Sequence, residues 1–332
     1  MTKAILTIGN AITDIVCSVD ANFLASHNLL EGSMLLINQN QVENLAKSTT
    51  PNLIVAGGSA SNTASALGLL GVEVAFFGVL GSDNYADSFV ASLQENKVSF
   101  VGKKLANQLT ATSFILVSNT GKNRGERTMA THLASASDFT ESDLQNIAWQ
   151  NFGTLYIEGY LYDKPSTILA IDYAIKKALQ HNVKLAFSLS DLFCVARHKQ
   201  DFLNLLPNLD FLFANKLEIA NLCKQEQFDL TEIQQFCKQN PKLTIIITDG
   251  GNGCLVVNNC QVLSVATKSI TPLDTTGAGD VFASGFLYGL QQNYSLQKSA
   301  KLANFLAGEV ILQYGARFNH QQIQKFLNLY AK

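Results

Sequence analysis

A chain of 332 residues, 47% hydrophobic and only 15% charged, has enough apolar material for one large core, which excludes a disordered chain. Its formal net charge of −2, with no basic run or basic amphipathic helix, gives bulk electrostatics no means of holding nucleic acid. Six cysteines without a C-x-x-C pair, and a first apolar run broken by Asn10 and Asp14, argue against a disulfide scaffold, a secretory signal or a membrane span; a reducing cytoplasm is the expected setting.

Short runs rich in Val, Ile, Leu and Phe at 4–8, 52–56, 72–79, 153–157, 183–188, 209–213 and 243–248 read as strands. Helical spacing occupies 60–70, 84–96, 166–180, 215–224 and 229–239 between them. Such alternation predicts a doubly wound α/β fold with a mostly parallel sheet covered on both faces. Residues 12–19, 33–38, 112–118 and 126–131 have strand character without crossover helices and are expected to form a small β-sheet lid on a single domain spanning 1–332. A hairpin at 254–257 and 261–265 and two long helices at 277–291 and 296–313 complete the order. No internal repeat or low-complexity linker marks a second domain.

Ligands of open α/β sheets bind beyond the carboxyl ends of the strands, so the strand-end turns are the places to look. After the first strand, Asn10 and Asp14 are placed to bind a polar ligand, and an acceptor-only Asp14 suits vicinal hydroxyls. Gly57 and Gly58 allow close backbone approach at the next junction, with Asn62 one helical turn inside. Asp83 reads as a helix N-cap. Asn215 and Glu218 open a later helix, either as a cap with an acidic first turn or as holders of Mg²⁺ through water. The compact turn containing Thr248, Gly250 and Gly253 can bring backbone to a nucleotide.

The most informative stretch is Asp274-Thr275-Thr276-Gly277-Ala278-Gly279-Asp280, a turn of small residues leading into an apolar helix. Its amides and the helix N-terminus favour an anionic oxygen, and Asp280 supplies a carboxylate beside them. Phosphate held next to a base is what phosphoryl transfer to an alcohol requires. The turn is not a dinucleotide fingerprint, since Phe282 stands where a third glycine belongs, nor is it followed by the Gly-Lys-Ser/Thr of a Walker loop. The five histidines lack metal-ligand spacing, and no Gly-x-Ser-x-Gly elbow occurs.

Taken together, Asn10/Asp14, Gly57-Gly58-x-x-x-Asn62, Asn215-x-x-Glu218, Thr248-x-Gly250-x-x-Gly253 and Asp274-x-x-Gly277-x-Gly279-Asp280 resemble, in order and over nearly the whole chain, the ribokinase-like (PfkB) carbohydrate and nucleoside kinases. Within that family the chain is similar to adenosine kinases, through Gly57-Gly58-Ser59-x-x-Asn62, Gly125-Glu126-Arg127-Thr128-Met129, Leu189-Ser190-Asp191-x-Phe193 and the run Phe211 to Glu218. Thr248-Asp249-Gly250 and Thr275-Thr276 depart from the animal adenosine kinases and leave the base preference open. The resemblance implies ATP-dependent phosphorylation of a ribonucleoside 5′-hydroxyl, adenosine first, with a sugar such as ribose or fructose as the alternative acceptor.

It further implies Asp280 as catalytic base and the amides of Gly277, Ala278 and Gly279 as an anion hole. Asp14 and Asn62 would bind the ribose hydroxyls, with Asn10, Gly57 and Gly58 in support, Arg127 meeting substrate or phosphate, and Met34, Phe114 and Phe193 furnishing a slot for a base. Asn215, Glu218, Thr248, Gly250 and Gly253 would serve ATP and Mg²⁺, and Asp274 a monovalent cation such as K⁺. No nucleic acid or membrane partner is expected, and monomer and homodimer both remain open.

Overall fold

A computed structural model describes residues 3–118, 127–225 and 227–330. Gly125 and Glu126, which begin one of the quoted motifs and the fourth expected strand of the small sheet, lie outside the described residues. The first half runs β1 (Ala4–Ile8), β2 (Ile12–Val19), α1 (Ala21–Ser26), β3 (Met34–Leu36), α2 (Gln39–Ser48), β4 (Leu53–Ala56) and α3 (Ser59–Leu69). It continues with β5 (Val74–Phe77), β6 (Val79–Leu80), α4 (Asn84–Glu95), β7 (Val98–Phe100), β8 (Lys103–Lys104), β9 (Ala111–Ser118) and β10 (Arg127–His132). The second half contains β11 (Phe152–Glu158), α5 (Pro165–Gln180), β12 (Lys184–Ser188), α6 (Leu192–Leu205), β13 (Phe211–Asn215) and α7 (Lys216–Leu222). It closes with α8 (Leu230–Gln239), β14 (Thr244–Thr248), β15 (Cys254–Asn258), β16 (Gln261–Val265), α9 (Ala278–Gln291), α10 (Leu296–Val310) and α11 (His320–Tyr330).

The main sheet has the order β16-β15-β14-β13-β12-β11-β1-β5-β7. Its strands from β14 to β7 are parallel, and the β15–β16 hairpin closes one edge antiparallel. Side chains alternate between two cores, as the period of two requires. Leu6, Phe77, Leu155, Leu185, Leu212 and Ile247 join one core. Ile5, Phe76, Tyr156, Ala186, Phe213 and Ile246 join the other, together with Phe282 and Phe286 of α9. This two-sided burial explains why the strands read as unbroken apolar runs. Asp83 caps α4 as expected, accepting from the Ala86 amide at 3.0 Å.

A second sheet has the order β3-β10-β9-β2-β4. One of its faces covers a separate cluster containing Ile15, Cys17, Phe114, Leu116 and Ala130, closed by α1 and α2. The run at 52–56, assigned from its composition to the main alternation, belongs here instead: β4 pairs antiparallel with β2. Leu53 and Ile54 are correspondingly exposed, as an edge strand permits and a central parallel strand does not. Further helices not evident from spacing are α1, α2, α6 and α11. Asp191 caps α6 through the Cys194 amide, and Asn38 with Gln41 forms a capping box on α2.

Candidate active site

Strand order reverses between β1 and β11: the chain runs outward to β5 and β7 on one side and to β12, β13 and β14 on the other. A crevice opens at the carboxyl ends of strands at such a reversal. Asn10, Glu158, Ser188, Asn215 and Thr248, each at or just after a strand end, line a cleft there of about 440 Å³. Glu158 bolts the crevice together. Its Oε1 accepts from the Asn10 amide at 2.9 Å and from Asn10 Nδ2 at 3.0 Å, and its Oε2 accepts from the Ala60 amide at 2.7 Å. Burial outweighs these three donors and raises its carboxyl to about 7. Asn10 Oδ1 is buried without a partner among the described residues.

The small-residue turn enters the cleft from the other side. Gly277 is the N-cap of α9 in the left-handed region, at φ +73°, and a Cβ there would stand 2.3 Å from Ala316 Cβ. Glycine is therefore required twice over. Gly279 has nothing within 4 Å of its Cβ direction, so that side of the helix's first turn stays open to the cleft. First-turn amides have no intrahelical acceptor and concentrate positive potential where Asp280 stands. Asp280 Oδ1 accepts from Ser59 Oγ at 2.7 Å and Oδ2 from Asn62 Nδ2 at 3.0 Å. Burial raises its carboxyl above the ordinary range, opposed by those two donors and by the charges of Arg127 and Arg317.

The small sheet supplies the third wall. Its cleft-facing positions follow the strand period: Ile12 and Asp14 on β2, Met34 and Leu36 on β3, Ser113 and Ile115 on β9, and Arg127, Met129 and Thr131 on β10. Asp14 is 9% exposed, and burial, helped by Asp280, raises it to about 7 against the pull of Arg317 and Arg127. Arg127 crosses to the turn, donating to Thr276 Oγ1 at 2.8 Å and Thr275 Oγ1 at 2.9 Å.

Residues 38–323 match the pfkB family of carbohydrate kinases. The chain belongs to that family. It is 27% identical to the adenosine kinase of Saccharomyces cerevisiae, over 97% of this chain and 99% of that one. Among solved structures it resembles a probable sugar kinase from Rhizobium etli at 33% identity and a TM-score of 0.90, covering 99% of both chains. It also resembles the adenosine kinase of Sinorhizobium meliloti at 34% identity and a TM-score of 0.89, covering 98% of this chain and 99% of that one. As a pfkB-family kinase the protein is a phosphotransferase with a hydroxyl acceptor, and its α/β fold with a smaller second sheet is the one these neighbours share.

Most of the residues anticipated from sequence meet in this kinase cleft: Asn10, Asp14, Met34, Gly58, Asn62, Arg127, Asn215, Glu218, Thr248, Gly277, Ala278, Gly279 and Asp280. Others do not line it. Phe114 lies one position off the cleft-facing register of β9 and packs into the small core. Phe193, in the first turn of the helix capped by Asp191, is 45% exposed and outside the lining. On the small-sheet side the cleft is lined by Ile12, Met34, Leu36, Ile115 and Met129 instead. Gly57 stands behind Asp14, where a Cβ would fall 2.1 Å from Asp14 Oδ2. Gly250 and Gly253 shape the turn after β14 without lining the cleft, both at positive φ.

Asn215 and Glu218 form a complete capping box, with Glu218 accepting from the Asn215 amide at 2.8 Å and from its Nδ2 at 2.6 Å. Among the described residues no group of three His, Cys, Asp or Glu could hold a metal alone. Such a donor set fits Mg²⁺ only as an ion carried mainly by water and phosphate oxygens, which is how Mg²⁺ is commonly held. Asp274 accepts from the Thr276 amide at 2.9 Å and from the Gly315 amide at 2.9 Å, with Arg127 Nε 3.6 Å away. Its lone pairs brace the turn, and Arg127 already supplies the neighbouring positive charge.

Two important residues carried no local sequence signal. Glu158 ends an apolar strand, and Arg317 follows α10 in a segment with no motif. Gly315, Ala316 and Arg317 nonetheless back the site in succession, touching Asp274, Gly277 and Asn62.

Proposed function

We propose that the protein transfers the γ-phosphoryl group of ATP to the 5′-hydroxyl of a ribonucleoside, with adenosine as the preferred acceptor. One observation carries the choice of a nucleoside over a bare sugar. Beside Asp14, the cleft wall is a patch of Ile12, Met34, Leu36, Ile115, Met129 and Leu133. A sugar ring has no use for that surface, whereas a purine face does. The kinship to adenosine kinases over nearly the full chain supports the same reading.

In this mechanism Asp14 and Asn62 take the ribose hydroxyls, with Asn10 and Gly58 beside them, which points the 5′-hydroxyl toward Asp280. Asp280 accepts its proton as the phosphoryl group moves, while the Gly277, Ala278 and Gly279 amides and Arg127 balance the charge on the equatorial oxygens. ATP enters from the side of Asn215, Glu218 and Thr248, with the Gly250 and Gly253 turn at its rim. Asn215 and Glu218 would hold Mg²⁺ through water, and the ion would supply neutralisation of phosphate charge. The small sheet acts as a lid that keeps water from competing with the hydroxyl.

Phosphate transfer from ATP to adenosine, other ribonucleosides, ribose and fructose tests the proposal. Burying a base on the aliphatic wall is worth about 1.5–3 kcal/mol, roughly 10- to 100-fold in kcat/KM for adenosine over ribose. Equal turnover of ribose would reassign the acceptor to a sugar. Asp280→Asn should keep nucleotide binding and lower kcat by ~10² to 10⁴, as loss of a general base does.

A further inference from the structure

Arg317 lies behind the cleft wall and is not among the residues lining the acceptor cleft. Its guanidinium donates four hydrogen bonds to described residues. Nε donates to Asn62 Oδ1 at 3.0 Å, Nη1 to Ser92 Oγ at 2.9 Å, and Nη2 to Ser61 Oγ at 2.6 Å and to the Gly57 carbonyl at 3.3 Å. The group also lies over the Phe89 ring, 5.9 Å from its centroid. A carboxamide can present either end, and nothing in Asn62 itself chooses. An arginine has donors only, so Nε accepts no orientation of Asn62 except Oδ1 inward. That leaves Nδ2 as the end that meets Asp280 Oδ2, at 3.0 Å.

We infer that Arg317 is a positioning residue for phosphoryl transfer: by locking the amide of Asn62 it fixes the carboxylate of Asp280 in orientation. Without the lock, Asn62 is held on this side only by its bond to Asp280 and can swing away, taking that donor with it. The carboxylate would then be free to rotate on the remaining bond from Ser59. The same change removes a positive charge from the site. The other groups whose charge reaches Asp280 or its neighbours are Arg127 on β10, Asp14 on β2, Glu158 and Tyr156 on β11, and Asp274 in the turn. Of these only Arg127 is cationic. Loss of Arg317 leaves three carboxylates around Asp280 with half of the compensating charge. Arg317 keeps the Asp280 and Asp14 carboxyls lower than burial alone would leave them.

The inference rests on Asp280 being the base, and the test separates the two ideas. The pH dependence of kcat at saturating nucleoside and ATP would be measured for the intact enzyme and for Arg317→Met, Arg317→Lys and Ser92→Ala, with Asp280→Asn alongside. In Arg317→Met the acidic limb should move up by about one unit, as loss of a nearby opposite charge does to a carboxylate, with kcat down at least ~10-fold and nucleotide affinity unchanged. Arg317→Lys keeps the charge without the planar fork, so the limb should stay near its place while kcat remains low. Ser92→Ala, a milder loosening of the same guanidinium, should shift kcat in the same direction and covers the case in which Arg317→Met does not fold. A double variant with Asn62→Ala should lose less than the two single losses combined, because part of the effect of Arg317 passes through Asn62. An unmoved limb with normal kcat in folded Arg317→Met, or additive losses in the double variant, would overturn the inference while an inactive Asp280→Asn left the base intact. Normal turnover by Asp280→Asn would remove both.

Discussion

Asp14 brings a carboxylate into the cleft that accepts no hydrogen bond from the described residues, yet it is 9% exposed and flanked by Asp280. Burial therefore dominates and its carboxyl titrates near 7 instead of near the ordinary 3.8. The sign follows directly. Between its ordinary value and about 7 the free protein holds Asp14 protonated, and a protonated carboxyl has less acceptor capacity for a pair of hydroxyls. Nucleoside affinity, measured without ATP, should be full above pH 7 and weaken as the pH falls through that value. Asp14→Asn should bind weakly and without this dependence. An intact protein whose affinity is flat from pH 5.5 to 8 would show that Asp14 is not the diol acceptor.

At the scale of one element, the start of α9 contains two glycines with different reasons to exist. Gly277 needs its positive φ and has Ala316 against it, so Gly277→Ala should cost about 1–3 kcal/mol of stability and distort the turn. Gly279 has ordinary helical backbone and no neighbour in its Cβ direction. Gly279→Ala should leave stability within about 0.5 kcal/mol, since alanine is the better helix former, yet lower kcat/KM for ATP by filling the space a phosphate approaches. Thermal unfolding beside kinetics distinguishes the pair. Equal losses of stability in both would mean the turn is only a helix cap.

Across the whole molecule, the two sheets meet at the cleft through Arg127, which leaves β10 to bond Thr275 and Thr276 of the α9 turn. A partly exposed contact of this kind adds little to global stability. Its value is in setting the small sheet over the site. Arg127→Gln should leave the melting temperature nearly unchanged and lower kcat/KM for the nucleoside roughly 10-fold, through loss of a charge-assisted pair that also faces the phosphate. Unaltered kinetics would make the Arg127 contacts to Thr275 and Thr276 irrelevant to turnover.

Much of the site was legible before any coordinates. Glycine pairs at strand ends, the Asn-x-x-Glu cap and the Gly-x-Gly-Asp turn are local devices, whose φ angles and hydrogen bonds are made within a few residues. The alternation of apolar runs and helices likewise settled the doubly wound class, because side-chain period is a local property. What only the tertiary structure decided is everything that depends on partners far along the chain. It placed 53–56 in the small sheet, since pairing with β2 is not written in four apolar residues. It turned Ile115 to the cleft and Phe114 to the core, a choice of face that a one-residue change of register would reverse. And it brought Glu158 and Arg317 against the cleft, because their partners Asn10, Ala60 and Asn62 lie far along the chain from them.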